Sequence, residues 1–229
     1  MKRVCTQLYT KYHHALPLIV YGIIYWLWFC HLEKVVTKPY HIIHMSVDDH
    51  IPFCEFFVIP YFLWFAYVSV TALYLFFRDK NEYCRTCLFL FTGMTVFLII
   101  STLWPNGHHL RLTEMPRDNV FTRMVASLWS ADTPTNLWPS IHVYNSLGTH
   151  FAVLHSKRLA DRKMIKAGSL LLCCSIILST LFIKQHSMFD VITAFGMAAV
   201  MYVVTYRLDP VLLYRTARER RAPKPQVIR

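Results

Sequence analysis

Apolar residues fill this chain in six long blocks, about 15–31, 52–77, 86–104, 137–155, 167–183 and 188–206, separated by polar stretches. A helix needs roughly 20 mostly apolar residues to cross roughly 30 Å of hydrocarbon, so each block predicts a membrane span. The second is long enough to tilt or to begin as an interfacial segment. No small-residue cleavage site follows the first, which therefore reads as a retained span. The expected fold is all-α: a polytopic membrane protein, one six-transmembrane-helix bundle over 1–229 without internal repeat.

The polar stretch between the third and fourth spans, about 105–136, is long, and loops of that length usually carry function. Within it, Val120, Phe121, Met124, Val125 and Leu128 recur at helical spacing after Asp118 or Asn119 as a cap. This predicts a short interfacial helix, on the bilayer or as a lid on the bundle. Polar residues also enter two spans. His142, Asn145, Ser146, Thr149 and His150 form one stripe on the fourth. Such groups are costly in lipid and face a bundle interior or a wet cavity. Hydrogen bonding between helices accounts for the lower four; His142, at the outer end beside Pro139 and Ser140, suggests chemistry.

Composition agrees: 55% of residues are hydrophobic and only 16% charged, the balance of a polytopic membrane protein. The net charge of +11 is explained by where it lies. With a cytoplasmic N-terminus, Lys2, Arg3, Lys11, Arg78, Lys80, Arg85, Lys157, Arg158, Arg162, Lys163 and Lys166 fall on the cytoplasmic side. The tail 207–229 adds Arg207, Arg215, Arg218, Arg220, Arg221, Lys224 and Arg229, making 18 of the 24 basic residues. Lys34, Lys38, Arg111, Arg117, Arg123 and Lys184 take the other face. This is the positive-inside pattern of a cell-membrane protein with both termini in the cytoplasm. The basic tail then reads as a topology and anionic-lipid anchor rather than a nucleic-acid site. Cys84-x-x-Cys87, placed in a cytoplasmic loop, is half a zinc site without a second half. His41, His44, His108 and His109 read as solvated loop histidines, so no metal or cofactor is expected.

A second constellation stands at 179–193. His186 and Asp190 are four residues apart at the start of the last span, where the carboxylate can hold one ring nitrogen and raise the basicity of the other. A buried carboxylate needs a partner, and His186 is in reach. His142, His186, Arg111 and Lys184 all fall on the non-cytoplasmic face. Two histidines, a carboxylate and two cations suit phosphoryl transfer: one histidine attacks phosphorus, the other protonates the leaving oxygen, and the cations hold the equatorial oxygens.

These motifs resemble the type 2 phosphatidic acid phosphatase superfamily, in its bacterial Pro-Ser-x-His branch. Pro139-Ser140-Ile141-His142 matches the second motif of that family. Ser179-Thr180, five residues, His186, three residues, Asp190 keeps the spacing of the third, with Thr for its Arg. Of the first motif only Arg111 remains: Trp104 stands for its Lys and Leu112 for its Pro. "DTPTN", 132–136, resembles what precedes the second motif in the bacterial branch. The resemblance is most specific over 105–195. It implies His186 as nucleophile forming a phosphohistidine, Asp190 orienting it, His142 as general acid and then base, and Ser140 and Arg111 binding phosphoryl oxygens. Lys184 is expected to stand in for the missing cations. The substrate would be a lipid phosphate or diphosphate such as phosphatidic acid, phosphatidylglycerol phosphate or a polyprenyl diphosphate, and membrane lipids the surroundings. Two alternatives stay open: a lipid phosphotransferase of the sphingomyelin or inositol phosphorylceramide synthase type, and a non-catalytic lipid-binding or transport protein.

Overall fold

The computed structural model describes residues 15–35 and 40–221. Helix α1 (Leu16–Val35) leads to strand β1 (His41–Ile42) and then α2 (Val58–Arg78), entered through a 3-10 turn at Glu55–Phe57. Helix α3 (Lys80–Leu103) precedes β2 (Asn106–Gly107) and the short α4 (Val120–Ala131). Then come α5 (Ile141–His155), α6 (Lys163–Phe182), α7 (Met188–Tyr202), a π-helical stretch Val203–Leu208 and α8 (Pro210–Arg221). Among the described residues, five segments are long and apolar enough to cross a membrane: α1, Glu55–Arg78, α3, α6 and Met188–Tyr214. Lys2, Arg3, Lys11, Lys38, Lys224 and Arg229 lie outside the described residues, as do the side chains of Arg215, Arg218, Arg220 and Arg221.

The fourth block is where the fold departs from expectation. Only its 15 residues Ile141–His155 are helical, roughly 22 Å at 1.5 Å per residue. Pro139 has no N–H to give a helix, and Ser140 caps the first turn, so the helix starts late. The residues before it are held by Asn106, whose Oδ1 accepts the Leu137 and Trp138 amides at 2.8 and 2.9 Å. The shortened helix is the axis of the bundle. It packs against α2, α3, α6 and α7, and Val143 to His150 are all buried.

Helices α3 and α5 pack tightly where glycines leave room for aromatic rings. A Cβ on Gly148 would stand 2.5 Å from the Phe89 ring. One on Gly93 would stand 2.0 Å from the Tyr144 ring, whose hydroxyl donates to the Phe89 carbonyl at 2.8 Å. We expect Gly148→Val to destabilise the protein by about 1–3 kcal/mol through overpacking. Thermal unfolding in detergent, with Gly196→Val as the control at a position open to 4 Å, checks this.

Within the polar stripe on α5 the expected hydrogen bonding between helices is made by His150, while Ser146 and Thr149 bond within their own helix. Ser146 and Thr149 bond back to the carbonyls of His142 and Asn145, each at 2.7 Å. His150 Nδ1 meets Ser169 Oγ at 2.9 Å, and Ser169 meets the Tyr67 hydroxyl at 2.6 Å, joining α5, α6 and α2. Asn145 is the exception, its Oδ1 buried without a partner.

Loops 40–57, 104–140 and 183–187 gather at one end. β1 and β2 pair in parallel, Ile43 N donates to Gly107 O at 2.7 Å, and Cys54 N to Phe182 O at 3.0 Å. The opposite end collects the basic residues of the intervening loops. There Arg158 Nε donates to Arg78 O at 3.1 Å, and Arg85 pairs with Asp209. The charge asymmetry read from the sequence is thus an asymmetry between the two ends of the bundle. Cys84 and Cys87 are corrected: they lie in the first turns of α3, half-buried, because Asp79 caps that helix ahead of the expected start.

Helix α4 is where the hydrophobic spacing placed it. Asn119 is its cap, accepting the Phe121 and Thr122 amides at 2.9 and 3.0 Å. Its buried Val125 packs on Val58, Tyr61 and Ile183, so the helix is a lid seated on the bundle.

Candidate functional site

Two helix caps bring the candidate residues together. Ser140 caps α5 and puts His142 in its first turn, while Ser187 caps α7. In the capping box of α7 the Asp190 carboxylate reaches back to the Ser187 amide at 2.9 Å. The same oxygen, Oδ2, lies 3.3 Å from His186 Nδ1. His186 therefore precedes the helix rather than sharing a helical face with Asp190, and the cap, not i,i+4 geometry, makes the pair. The two caps touch: Ser140 N donates to the Asp190 carbonyl at 3.4 Å. His142 and His186 end with ring centroids 5.7 Å apart.

His142 lies between two aromatic rings, stacked on Tyr61 at 4.5 Å and leaning on Trp64 at 4.4 Å. Its Nδ1 and the second oxygen of Asp190, Oδ1, are buried without partners. Unsatisfied buried polar atoms are costly, and here they flank an imidazole pair. A carboxylate-held imidazole facing a second imidazole has the chemistry to serve as a nucleophile or base with an acid beside it.

The three expected phosphate-binding residues fare differently. Ser140 is fully buried, and its Oγ accepts the Val143 amide at 3.4 Å, a contact that leaves the hydroxyl hydrogen unused. Arg111 is committed to structure. Its Nη1 donates to the carbonyls of Trp129 (2.9 Å) and Asp132 (2.8 Å), and its Nη2 to Thr133 O (3.3 Å) and Gln185 Oε1 (2.7 Å). Only Nε is left, buried and unpartnered. Lys184 is a correction. Its Nζ donates to the carbonyls of Asp48 (3.0 Å) and Ile51 (2.6 Å) in the first loop. The left-handed backbone at Lys184, φ 55°, turns the side chain of this residue onto that loop. Burial lowers its ammonium from the usual range, with Asp48 and Asp49 opposing.

His108 is also corrected, being almost fully buried although His41, His44 and His109 are exposed as expected. Its Nδ1 accepts the Leu110 amide at 3.1 Å, so the proton sits on Nε2 and donates to Gln185 O at 3.0 Å. Burial pushes it down to about 4 from 6.5. The folded state thus binds the proton more weakly than the unfolded one. The contribution of His108 to stability is present above pH 6.5 and lost on acidification through about 4. Burial pushes Asp132 up to about 6, which has the opposite sign, its contribution being lost as pH rises. We expect His108→Gln to flatten the acid side of the stability curve relative to wild type. Unfolding temperatures between pH 4 and 7 would read this, and an unchanged slope would refute it.

Sequence reasoning missed four further residues. Asp48 is buried, accepting from Ser187 Oγ at 2.6 Å and the Met188 amide at 2.7 Å, so the first loop secures the N-terminus of α7. Gln185 links Arg111 to Asp132, to which its Nε2 donates at 3.4 Å. Tyr61 and Trp64 flank His142. No motif marks them, because the partners that give them their places lie far away in sequence.

No known protein family model, no curated protein and no solved structure matches the chain. The functional reading therefore stands on the motifs and the geometry of the two capped histidines.

Proposed function

We propose that this chain is an integral-membrane phosphatase that hydrolyses a lipid phosphate or diphosphate through a phosphohistidine. The observation that carries it is the apposition of His142 to a His186 held by Asp190. His186 Nε2 attacks phosphorus while Asp190 keeps the proton on Nδ1. The bond from phosphorus to the lipid oxygen breaks, and His142 delivers a proton to that oxygen. Water then attacks the phosphohistidine, His142 takes a proton from it, the P–N bond breaks, and inorganic phosphate leaves. The positive end of the α5 dipole, the Ser140 hydroxyl and Arg111 Nε supply stabilisation for the phosphoryl oxygens. In this reading α5 is the sixth span, completed by its flanking residues. The loop end carrying the site faces outward from the cell membrane, and both termini are cytoplasmic, because the basic residues gather at the other end.

The test is phosphate release by the purified protein in detergent, with chelator, from phosphatidic acid, phosphatidylglycerol phosphate and a polyprenyl diphosphate. An acid-labile, base-stable phosphoenzyme should accumulate. His142→Ala should lower release by roughly 10²- to 10⁴-fold, the range for a general acid. No release from any substrate overturns the reading, and transfer to a hydroxylated lipid without free phosphate replaces it with a phosphotransferase.

A further inference from the structure

To act as a general acid His142 must carry a proton, and an imidazolium is costly where little water reaches. His186 has a carboxylate to offset such a charge, Asp190 at 3.3 Å. His142 has none, and its Nδ1 is buried without a hydrogen-bond partner. What meets it instead is aromatic. The Tyr61 ring stacks on it with centroids 4.5 Å and planes 28° apart, and the Trp64 ring lies at 4.4 Å and 46°.

Both rings come from α2, three residues apart and therefore on one face of that helix. Tyr61 is 2% exposed and belongs to the cluster of Val58, Val125 and Ile183, so its ring has little freedom to move. The face of an aromatic ring carries negative charge density and attracts a cation within about 6 Å of its centroid, most strongly where water is excluded. Both centroids fall inside that range. No other neighbour offers as much. His186, at 5.7 Å with Asp190 behind it, is the ionisable group that bears on the charge of His142, and when protonated it opposes a second positive charge. Helices α3 and α6 carry their charged residues, Lys80, Glu82, Arg85, Lys163 and Lys166, in their first turns at the opposite end of the bundle. On α5 itself the next titratable group, His150, is two turns below.

We infer that Tyr61 and Trp64 are positioning residues that hold His142 in its protonated form through their ring faces, and so make it the proton donor. The inference rests on the phosphatase reading for the destination of that proton, whereas the hold itself can be measured without turnover.

The test is the NMR titration of His142 in detergent, its signal assigned by loss in His142→Gln, in wild type, Tyr61→Phe, Tyr61→Leu and proteins carrying fluorinated tryptophans at position 64. Fluorination withdraws charge from the ring face and keeps its shape, so the fold is preserved. The midpoint should fall in steps with fluorination, by roughly one pH unit in all, and by a similar amount in Tyr61→Leu. It should stay in place in Tyr61→Phe, which keeps a ring face. In turnover, the kcat ratio of phosphatidic acid to an aryl phosphate, whose leaving group needs no proton, should fall roughly tenfold in the same variants. A packing role alone would move neither the midpoint nor the ratio. A midpoint indifferent to fluorination, or a His142 that stays neutral wherever the protein is folded, overturns the inference. A midpoint that moves in a protein releasing phosphate from no substrate keeps the hold and ends the phosphatase reading. Release with an unmoved midpoint does the reverse.

Discussion

His186→Ala should abolish phosphate release, a fall of roughly 10⁴-fold or more, as losing a covalent nucleophile does in other enzymes. The bundle should survive. His186 lies in the short connection before α7, its side chain meets Asp190 at 3.3 Å, and it belongs to none of the buried apolar clusters. The cost in stability is that of one buried hydrogen bond and an Asp190 short of a donor, about 1–3 kcal/mol. Asp190→Asn should fall between wild type and His186→Ala in rate, because the amide keeps the shape but can present the wrong group to Nδ1. Release of phosphate at matched protein folding, judged by circular dichroism and gel filtration, is the measurement. Retained turnover in His186→Ala would remove the nucleophile from the proposal.

The largest effect expected on stability belongs to a residue with no part in the chemistry. Asp48→Ala should destabilise the protein by about 3–5 kcal/mol, the usual cost of removing one member of a buried charged network. Asp48 accepts from Ser187 Oγ at 2.6 Å, the Met188 amide at 2.7 Å and the Met45 amide at 2.8 Å. Its removal leaves these donors unmatched where little water reaches, and takes a negative charge from beside the buried Lys184 ammonium. Because Asp48 holds the N-terminus of α7, the variant should also loosen the His186–Asp190 pair and lose activity beyond its loss of folded protein. Denaturation in detergent measures the first effect and turnover per folded molecule the second. A stable variant would show that Ser187 and Met45 hold the loop without it.

Legibility in the sequence followed the range of the forces involved. The long apolar blocks, the short helix α4 behind a cap at Asp118 or Asn119, and the charge asymmetry of the two ends could be read directly. Each depends on residues near one another in the chain or on transfer from water to lipid. The His186–Asp190 pair could be read as well, although its basis is a capping box at Ser187 rather than a shared helical face. The fourth span was read four residues too long. Hydropathy counts Leu137 and Trp138 as membrane residues, whereas Pro139 and Ser140 force the helix to begin after them. Lys184 and His108 were misjudged for a related reason. A cation near a candidate phosphate site and a histidine in a loop have obvious local readings. Their partners lie far away in sequence, at Asp48 and Ile51 for one and at Gln185 for the other.

What the chain determines by itself is therefore the mostly helical architecture with its long apolar segments and the local pairing of His186 with Asp190, because helix caps and hydrophobic length act within a few residues. The tertiary structure alone decided that α5 is the buried axis, that Arg111 and Lys184 spend their hydrogen bonds on loop carbonyls, and that Tyr61 and Trp64 enclose His142. The physical reason is satisfaction. In a medium with little water, every buried donor must find an acceptor, and which acceptor it finds depends on which distant loop the packing of the helices brings alongside.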